Sequence, residues 1–255
     1  MSTEGGAGSF SSGVLTEMAQ GNKIGIKKKK DGENMDKKYC IFDMDGTLVD
    51  SMGYWHRLGF EYLAGNGMSE EDAVKLFEQV KTMTLLQAAQ LFLDALGIDG
   101  EPMDVLTGMR EIMEQHYRMD VERKPGVLEY LQKLKAEGCR LCVATATDED
   151  LAHICLRRLG LDDCFEFLLS CQTLGIGKDN PEIYLQAAKR LGAQPEECVV
   201  FEDALFAAQT AKQAGFYTTA VQDDNQAKDW AQLSALADEV ILDWRDLLTN
   251  ENRSI

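Results

Sequence analysis

Two aspartates with one residue between them, Asp43 and Asp45, follow a short apolar run and precede a Gly-Thr pair. Side chains at positions i and i+2 of an extended chain point to the same side, so the two carboxylates lie close together if the strand continues that far. Carboxylates so placed repel each other unless a cation lies between them or one is protonated. Gly46 allows the chain to turn sharply afterwards. The stretch predicts either a cation-binding pair of acids or a simple Asp-Gly turn.

Polar side chains follow three later apolar runs in the same way. They are Thr145 after residues 141–144, Lys178 in the loop after residues 165–170, and Glu202 with Asp203 after residues 199–201. In open α/β sheets, ligands bind beyond the carboxyl ends of the strands. Each of these residues alone is compatible with a helix cap, a packing contact or a solvated loop. Together they predict two acids, a hydroxyl, an ammonium group and two further acids at one edge of a sheet.

Alternating strand and helix patterns supply that sheet. Strands are expected over residues 39–43, 139–145, 165–170, 198–201, 216–221 and 240–242, with helices between most of them. Nearly continuous apolar strands are typical of a sheet covered on both faces, and the alternation predicts a parallel, doubly wound α/β fold. Within the second strand, Cys139 and Cys142 would face opposite sides, which argues against a metal or redox role for this CxxC pair.

The segment between the first and second strands has a different pattern. Helical spacing predominates from residue 52 to about residue 123, including expected helices over residues 85–96, ended by Gly97, and from Pro102 to about Met119. About 70 residues is far longer than a usual strand-to-helix connection. We therefore expect a helical cap domain at 51–124, inserted into an α/β core formed by 35–50 and 125–255. Residues 1–34, rich in Gly, Ser and Lys, predict a disordered extension.

Composition restricts the partners. The net charge of −17 argues against nucleic acid or an anionic membrane as a partner. No apolar run approaches the roughly 20 residues that a membrane-spanning helix needs. The seven scattered cysteines are typical of reduced, buried thiols and predict a cytoplasmic protein. We expect a monomer or a weak dimer that acts on a small molecule.

The polar residues, taken in chain order, resemble the motifs of a known family. The string DMDGTLVDS, Thr145 at a strand end, Lys178 in GKDNPEIY and Glu202-Asp203 in VVFEDALFAAQ are similar to the four motifs of the haloacid dehalogenase (HAD) superfamily. The similarity covers about residues 38–245 and includes the position of the cap. It implies a Rossmann-like core with a helical cap and the chemistry of that family.

The resemblance also implies a role for each motif residue. Asp43 would be the nucleophile that forms an aspartyl-phosphate, and Asp45 the general acid and then the general base. Phosphoryl oxygens would be bound by Thr145, Ala146 and Lys178. The ligands of Mg²⁺ would be Asp43, the backbone carbonyl of Asp45, Glu202 and Asp203. Relatives that cleave phosphonates carry Ala at the position of Asp45 and dehalogenases carry Tyr, so Asp45 implies phosphate ester chemistry.

Three functions compete on this evidence. The first is a Mg²⁺-dependent phosphatase of a small phosphorylated metabolite such as a sugar phosphate. The second is a phosphomutase of the β-phosphoglucomutase type, which carries a cap His about where Trp55 stands here. Residues 51–124 hold 7 Lys and Arg against 13 Asp and Glu, a weak grip for a second phosphate. The third, a non-catalytic binding module, is disfavoured by the intact motif acids. Tyr54, Trp55 and His56 are candidate substrate contacts, with packing inside the cap as the alternative.

Overall fold

The computed structural model describes residues 38–80 and 83–248. The extension predicted for residues 1–34 lies outside the described residues, as do residues 35–37 at the predicted start of the core. No helix in the described ranges is long and apolar enough to cross a lipid bilayer.

Six parallel strands form the central sheet. They are β1 (Tyr39–Phe42), β2 (Arg140–Thr145), β3 (Leu168–Ser170), β4 (Cys198–Glu202), β5 (Tyr217–Val221) and β6 (Glu239–Ile241). Their spatial order is β3-β2-β1-β4-β5-β6, so the chain winds in both directions from β1. The predicted doubly wound α/β fold is confirmed. In such a sheet the point where the strand order reverses, here β1, is where ligands bind.

Ten helices surround or extend from the sheet in the described residues. They are α1 (Met52–Gly65), α2 (Glu70–Val80), α3 (Leu85–Leu96), α4 (Pro102–Met119), α5 (Val127–Ala136), α6 (Glu149–Arg158), α7 (Cys171–Leu174), α8 (Glu182–Leu191), α9 (Leu205–Gln213) and α10 (Trp230–Leu236). Short 3₁₀ turns lie at Asp162–Cys164, Pro195–Glu197, Asp224–Gln226 and Trp244–Leu247. The all-helical segment predicted between the first two strands is confirmed as α1 to α4.

The observed strand ends lie within one residue of the predicted ones, except for the strand expected over residues 165–170. The strand expected over residues 165–170 begins at Leu168. The chain already contacts β2 before that point, because the Glu166 N–H donates to the Leu141 carbonyl at 2.8 Å. Helix α10, between β5 and β6, begins at Trp230, after the 3₁₀ turn Asp224–Gln226. Asp223 accepts a hydrogen bond from the Asn225 N–H at the start of that turn.

Both faces of the sheet are covered by apolar side chains. On one face Phe42 and Phe201, paired on β1 and β4, stack with ring centroids 4.3 Å apart. On the other face Ile41 and Cys142 lie in a separate buried cluster, whereas Cys139 packs on the Phe42 side. The two cysteines of the CxxC pair therefore lie on opposite faces, as predicted.

The inserted helices have an apolar cluster of their own. It is built around Leu63, Phe92 and Val105 from α1, α3 and α4. Met113 and Tyr117, in the second half of α4, belong instead to the large cluster of the sheet. One end of α4 is therefore packed into the core, while its beginning is packed among the other inserted helices.

The two chain crossings between core and insert are hydrogen-bonded to each other. The Asp50 N–H donates to the Glu122 carbonyl at 2.9 Å, and the Lys124 N–H donates to the Leu48 carbonyl at 2.9 Å. The side chain of Lys124 also forms a 2.8 Å ion pair with the buried Asp223 after β5. These contacts fix where the insert leaves and re-enters the core.

Candidate active site

Three buried carboxylates meet beyond the ends of β1 and β4. Asp43 directly follows β1 and is tied to β4 by its N–H, which donates to the Phe201 carbonyl at 3.0 Å. Glu202 ends β4 and Asp203 follows it. Each of the three side chains offers a carboxylate oxygen, and these oxygens lie within 4.8 Å of one another. The neighbouring registers of β1 and β4 thus bring together acids that are about 160 residues apart.

Lys178 connects two of these carboxylates. It lies in the loop between α7 and α8, and its buried ammonium group forms an ion pair with Asp43 and a second, of 2.5 Å, with Glu202 Oε1. The Tyr184 hydroxyl of α8 donates to the same Glu202 oxygen at 2.7 Å. Glu202 Oε1 is therefore fully engaged, and the side chain is held by two partners on one oxygen.

Two other oxygens of the cluster are left without partners. Glu202 Oε2 and Asp203 Oδ2 are buried, and neither has a hydrogen-bond partner among the described residues. A buried carboxylate oxygen without a partner is costly, because it has lost its hydration without replacement. Both orphaned oxygens belong to the three-carboxylate cluster.

The charges of the cluster perturb one another. Burial, followed by repulsion from Glu202 and Asp45, raises the pKa of Asp43 to about 7 despite the opposing ion pair with Lys178. Burial and repulsion from Asp43 and Glu202 likewise raise the pKa of Asp203 well above its ordinary value. Burial alone would lower the pKa of Lys178, but Asp43 and Glu202 outweigh it and raise that pKa. If ionised, the three buried carboxylates carry more negative charge than the single ammonium group of Lys178 can balance.

A divalent cation fits this donor set. The side chains of the cluster offer carboxylate oxygens, which hard cations such as Mg²⁺ prefer, and two of these oxygens are buried and unpartnered. An added positive charge would also relieve the repulsion that raises the pKa of Asp43 and Asp203. The described residues therefore contain an acidic cluster suited to a metal ion.

Gly46 allows Asp203 to approach the turn after β1. Its φ angle of +80° lies in the left-handed region that favours glycine. A Cβ atom here would lie 2.7 Å from Asp203 Cγ and would overlap Asp203 Oδ2. Thr47, next in the chain, donates its hydroxyl to Asp203 Oδ1 at 3.3 Å. The Gly-Thr pair of the motif therefore positions the second acid of the Glu-Asp pair.

Asp45 occupies a different environment from Asp43. Strand β1 ends at Phe42, so the two acids do not share one face of a continuous strand. The carboxylate of Asp45 accepts hydrogen bonds at Oδ1 from Ser51 at 2.6 Å and from Tyr117 at 2.5 Å, and at Oδ2 from Thr147 at 2.7 Å. Asp45 nevertheless lies close enough to contribute to the raised pKa of Asp43. The two aspartates are neighbours with separate partners.

The hydroxyl expected after β2 is present at the neighbouring strand end. Thr145 ends β2 and is fully buried, and its hydroxyl oxygen accepts a hydrogen bond from the Thr147 N–H at 3.0 Å. Ala146, between them, is exposed. Because β2 pairs with β1, this turn lies beside Asp43 at the same edge of the sheet.

The three cap residues singled out from the sequence are placed very differently. The Trp55 indole N–H points to the Asp45 carboxylate at 3.4 Å and donates to the Tyr117 oxygen at 3.1 Å. Tyr54 packs instead against His116, with ring centroids 4.5 Å apart. His56 is exposed. The structure thus brings Trp55 to Asp45 and gives Tyr54 a packing contact. A substrate role for any of the three stays a prediction.

Sequence reasoning missed several residues that contact the site. Ser51 and Tyr184 lie inside the motif strings DMDGTLVDS and GKDNPEIY, so their proximity was available from the pattern. Tyr117 gave no such signal. It contacts Asp45 although the two residues are 72 positions apart in the chain. In the sequence it has the pattern of an ordinary buried position on a cap helix.

Comparison with known proteins places this site in a family. A model of the haloacid dehalogenase-like hydrolase family matches residues 37–215. This match covers well over half of the chain, so the chain belongs to that family. The predicted family is confirmed, and the protein is a hydrolase rather than a non-catalytic module.

Individual relatives are named phosphatases. The chain is 30% identical over 179 residues to the phosphorylated carbohydrates phosphatase of Thermotoga maritima, covering 69% of this chain and 80% of that protein. It is 29% identical over 177 residues to the fructose-1-phosphate phosphatase YqaB of Escherichia coli, covering 69% and 91%. The solved β-phosphoglucomutase of Clostridium difficile is similar with a TM-score of 0.61 and 20% identity, covering 82% of this chain and 92% of that chain. This last likeness shows a shared fold.

Proposed function

We propose that this hydrolase is a Mg²⁺-dependent phosphatase of small phosphorylated metabolites, with sugar phosphates as the substrate class, and that it works through an aspartyl-phosphate on Asp43. The observation that carries the proposal is the buried cluster of Asp43, Glu202 and Asp203, held by Lys178 and left with two unpartnered oxygens. The two relatives named for phosphorylated carbohydrates and for fructose 1-phosphate support the substrate class.

Asp43 is the proposed nucleophile. In the first step a carboxylate oxygen of Asp43 forms a bond to phosphorus, while the bond from phosphorus to the leaving oxygen breaks. The Asp45 carboxyl gives its proton to that leaving oxygen, which departs as an alcohol. In the second step water attacks phosphorus, Asp45 takes up a proton from the water, and the bond to Asp43 breaks. Inorganic phosphate is released and both aspartates return to their starting states.

The remaining cluster residues bind and orient. Asp43, Glu202, Asp203 and the backbone carbonyl of Asp45 would hold Mg²⁺. The ion supplies positive charge that lets an anionic phosphoryl group approach an anionic carboxylate. Lys178 contributes a further positive charge next to Asp43 and, with Thr145 and Ala146, would contact the phosphoryl oxygens. Lys178 also keeps the Asp43 side chain in place before the substrate arrives.

Mutase activity is the alternative, and the contacts of Trp55 disfavour it. A mutase must hold a second phosphate in the cap, which requires positive charge there. The indole of Trp55 carries none, and its N–H is directed at Asp45 and Tyr117. If glucose 1-phosphate were converted to glucose 6-phosphate faster than phosphate is released, the mutase assignment would replace ours.

We also propose a domain organisation, a cellular location and an oligomeric state. We propose that residues 51–124 act as a cap on a core of residues 35–50 and 125–255, because α1 to α4 have their own apolar cluster. None of the seven cysteines, which all lie in the described residues, forms a disulfide, and six are buried, which suits a cytoplasmic protein. A monomer or weak dimer is expected, and gel filtration tests it.

A screen of phosphorylated metabolites tests the proposed function. Phosphate release is measured with and without added Mg²⁺, across phosphorylated sugars, polyols and small acids. We expect turnover that needs Mg²⁺ and is strongest for sugar phosphates. The matched control is Asp43→Asn, which keeps the size of the side chain but removes the attacking carboxylate, and it should be inactive. Full activity of Asp43→Asn, or of the wild type in excess chelator, would refute the proposal.

A further inference from the structure

The hydroxyl of Tyr117 forms the shortest hydrogen bond that the described residues make to the Asp45 carboxylate. Tyr117 lies in the last turn of α4, is fully buried, and donates to Asp45 Oδ1 at 2.5 Å. A buried hydroxyl–carboxylate hydrogen bond is shorter and stronger than one between neutral groups. The contact therefore joins the inserted helices to one of the two motif aspartates.

Tyr117 is itself held from two sides. Its backbone carbonyl accepts a hydrogen bond from Arg158 Nε of α6 at 2.7 Å, and the same guanidinium also contacts the Val121 carbonyl. Its hydroxyl oxygen accepts the Trp55 indole N–H at 3.1 Å. Since an indole N–H only donates, the Tyr117 hydroxyl must donate to another group, and Asp45 Oδ1 at 2.5 Å is a much nearer acceptor than the Thr147 hydroxyl at 3.4 Å. The position and the polarity of this hydrogen bond are both determined by neighbours.

The two oxygens of Asp45 have different partners. Oδ1 receives Tyr117 and Ser51, with Trp55 at the longer distance of 3.4 Å. Among the residues that the structure describes, Oδ2 accepts a hydrogen bond only from the Thr147 hydroxyl, at 2.7 Å. The Thr147 hydroxyl can accept a hydrogen bond as readily as it donates one. The Tyr117 hydroxyl, in contrast, already accepts the Trp55 N–H and therefore donates to Asp45. A proton on Asp45 Oδ2 can therefore be donated to Thr147, whereas a proton on Oδ1 would face the hydroxyl proton that Tyr117 donates there.

We propose that Tyr117 is a positioning residue for proton transfer, which fixes Asp45 so that Oδ2 is the oxygen that gives and takes the proton. This inference rests on the proposed acid–base role of Asp45. When the bond from phosphorus to the leaving oxygen breaks, its electron pair stays on that oxygen, which takes the proton from Oδ2. The carboxylate left behind is stabilised at Oδ1 by the donors already in place. In the second step Oδ2 accepts a proton from water.

Leaving-group dependence tests this role in the full-length enzyme with Mg²⁺ present. An alkyl phosphate needs protonation of its leaving oxygen, whereas p-nitrophenolate departs without it. We expect Tyr117→Phe to lower kcat/KM for an alkyl phosphate by about tenfold, part of the roughly 10²–10⁴-fold that a general acid supplies, and for p-nitrophenyl phosphate by less than about twofold. Tyr130→Phe, another buried tyrosine in the core, is the matched control and should change neither value.

Two further variants separate the possible outcomes. In an Asp45→Asn background, Tyr117→Phe should cause no further selective loss, because its effect acts through Asp45. Trp55→Phe, which removes the indole N–H together with part of the ring, should show the same selectivity to a smaller extent. It serves if Tyr117→Phe proves unstable in thermal unfolding. Equal losses for both substrates would make Tyr117 merely structural and overturn the inference. A non-selective Asp45→Asn would instead overturn the proposed role of Asp45.

Discussion

Replacing Gly46 by alanine separates backbone strain from damage to the acid cluster. Gly46 has a φ of +80°, and a non-glycine residue in this region costs about 1–2 kcal/mol. The new Cβ would also lie 2.7 Å from Asp203 Cγ and 3.0 Å from Met52 Cγ. Overpacking of this kind adds roughly 1–3 kcal/mol. We expect Gly46→Ala to lower the free energy of unfolding by about 2–5 kcal/mol, the sum of the two effects.

Gly138 provides the matched control. Its φ is +84°, almost the same as that of Gly46, but a Cβ there would meet no atom within 4 Å. Gly138→Ala should therefore cost only the strain, about 1–2 kcal/mol. Urea denaturation of both variants, compared with the wild type, isolates the contribution of the contact with Asp203.

The two variants should also differ in their metal requirement. Because Asp203 must move to admit the new methyl group, we expect Gly46→Ala to need at least about tenfold more Mg²⁺ for half-maximal activity, whereas Gly138→Ala should keep the wild-type value. The Mg²⁺ requirement is read from phosphate release as the ion is titrated. Identical Mg²⁺ curves for the two variants would refute the reasoning that Gly46 is needed for the placement of Asp203.

Three other perturbations act on the same cluster. Lys178→Met should destabilise the protein by about 3–5 kcal/mol in urea denaturation, because it leaves Asp43 and Glu202 as buried, uncompensated charges; the exposed Lys75 is the control, and Lys75→Met should have almost no effect. Tyr184→Phe should weaken Mg²⁺ binding about tenfold in a titration followed by tryptophan fluorescence, because Glu202 loses one of the two partners that orient it. The rise in Tm caused by Mg²⁺ should increase between about pH 5 and pH 8.

The sign of the pH effect follows from the raised pKa of Asp43. Without metal, the stability linked to this group is fully present below its unfolded pKa of about 4 and is lost as the pH rises through its folded pKa of about 7. Asp203 acts in the same direction. A bound cation stabilises the ionised forms and removes this loss. Each of these predictions has an outcome that would contradict it. For the pH effect this is a Mg²⁺-induced change in Tm that is constant with pH. For the two variants it is an unchanged Mg²⁺ affinity in Tyr184→Phe and an unchanged stability of Lys178→Met.

The sheet and the acid cluster were predictable because each rests on a local pattern. An apolar run followed by a polar residue marks a strand end, and the carboxyl ends of parallel strands meet at one edge. Asp43, Lys178, Glu202 and Asp203 are brought together by that rule and by the pairing of β1 with β4. The helix Leu85–Leu96 was likewise predictable, since Thr84 caps its beginning and Gly97 its end.

The environment of Asp45 was not predictable in the same way. Its partner Tyr117 comes from the far end of the inserted helices. The position of Tyr117 depends on how α4 packs against α6 and on the hydrogen bond that Arg158 donates to the Tyr117 carbonyl. Helical periodicity shows that such a residue is buried but not what it faces. The i, i+2 argument for Asp43 and Asp45 also assumed a strand that, in the structure, ends at Phe42. A pattern in one sequence does not predict contacts that depend on how the inserted helices pack against the core.

The proposed aspartyl-phosphate is tested most directly by trapping it. The enzyme is mixed with a substrate found in the screen and Mg²⁺, quenched in acid during turnover, digested, and analysed by mass spectrometry. We predict one phosphoryl group on the peptide that contains Asp43, absent without Mg²⁺ and absent in Asp43→Asn. A phosphoryl group on any other residue, or steady phosphate release by Asp43→Asn, would contradict the account.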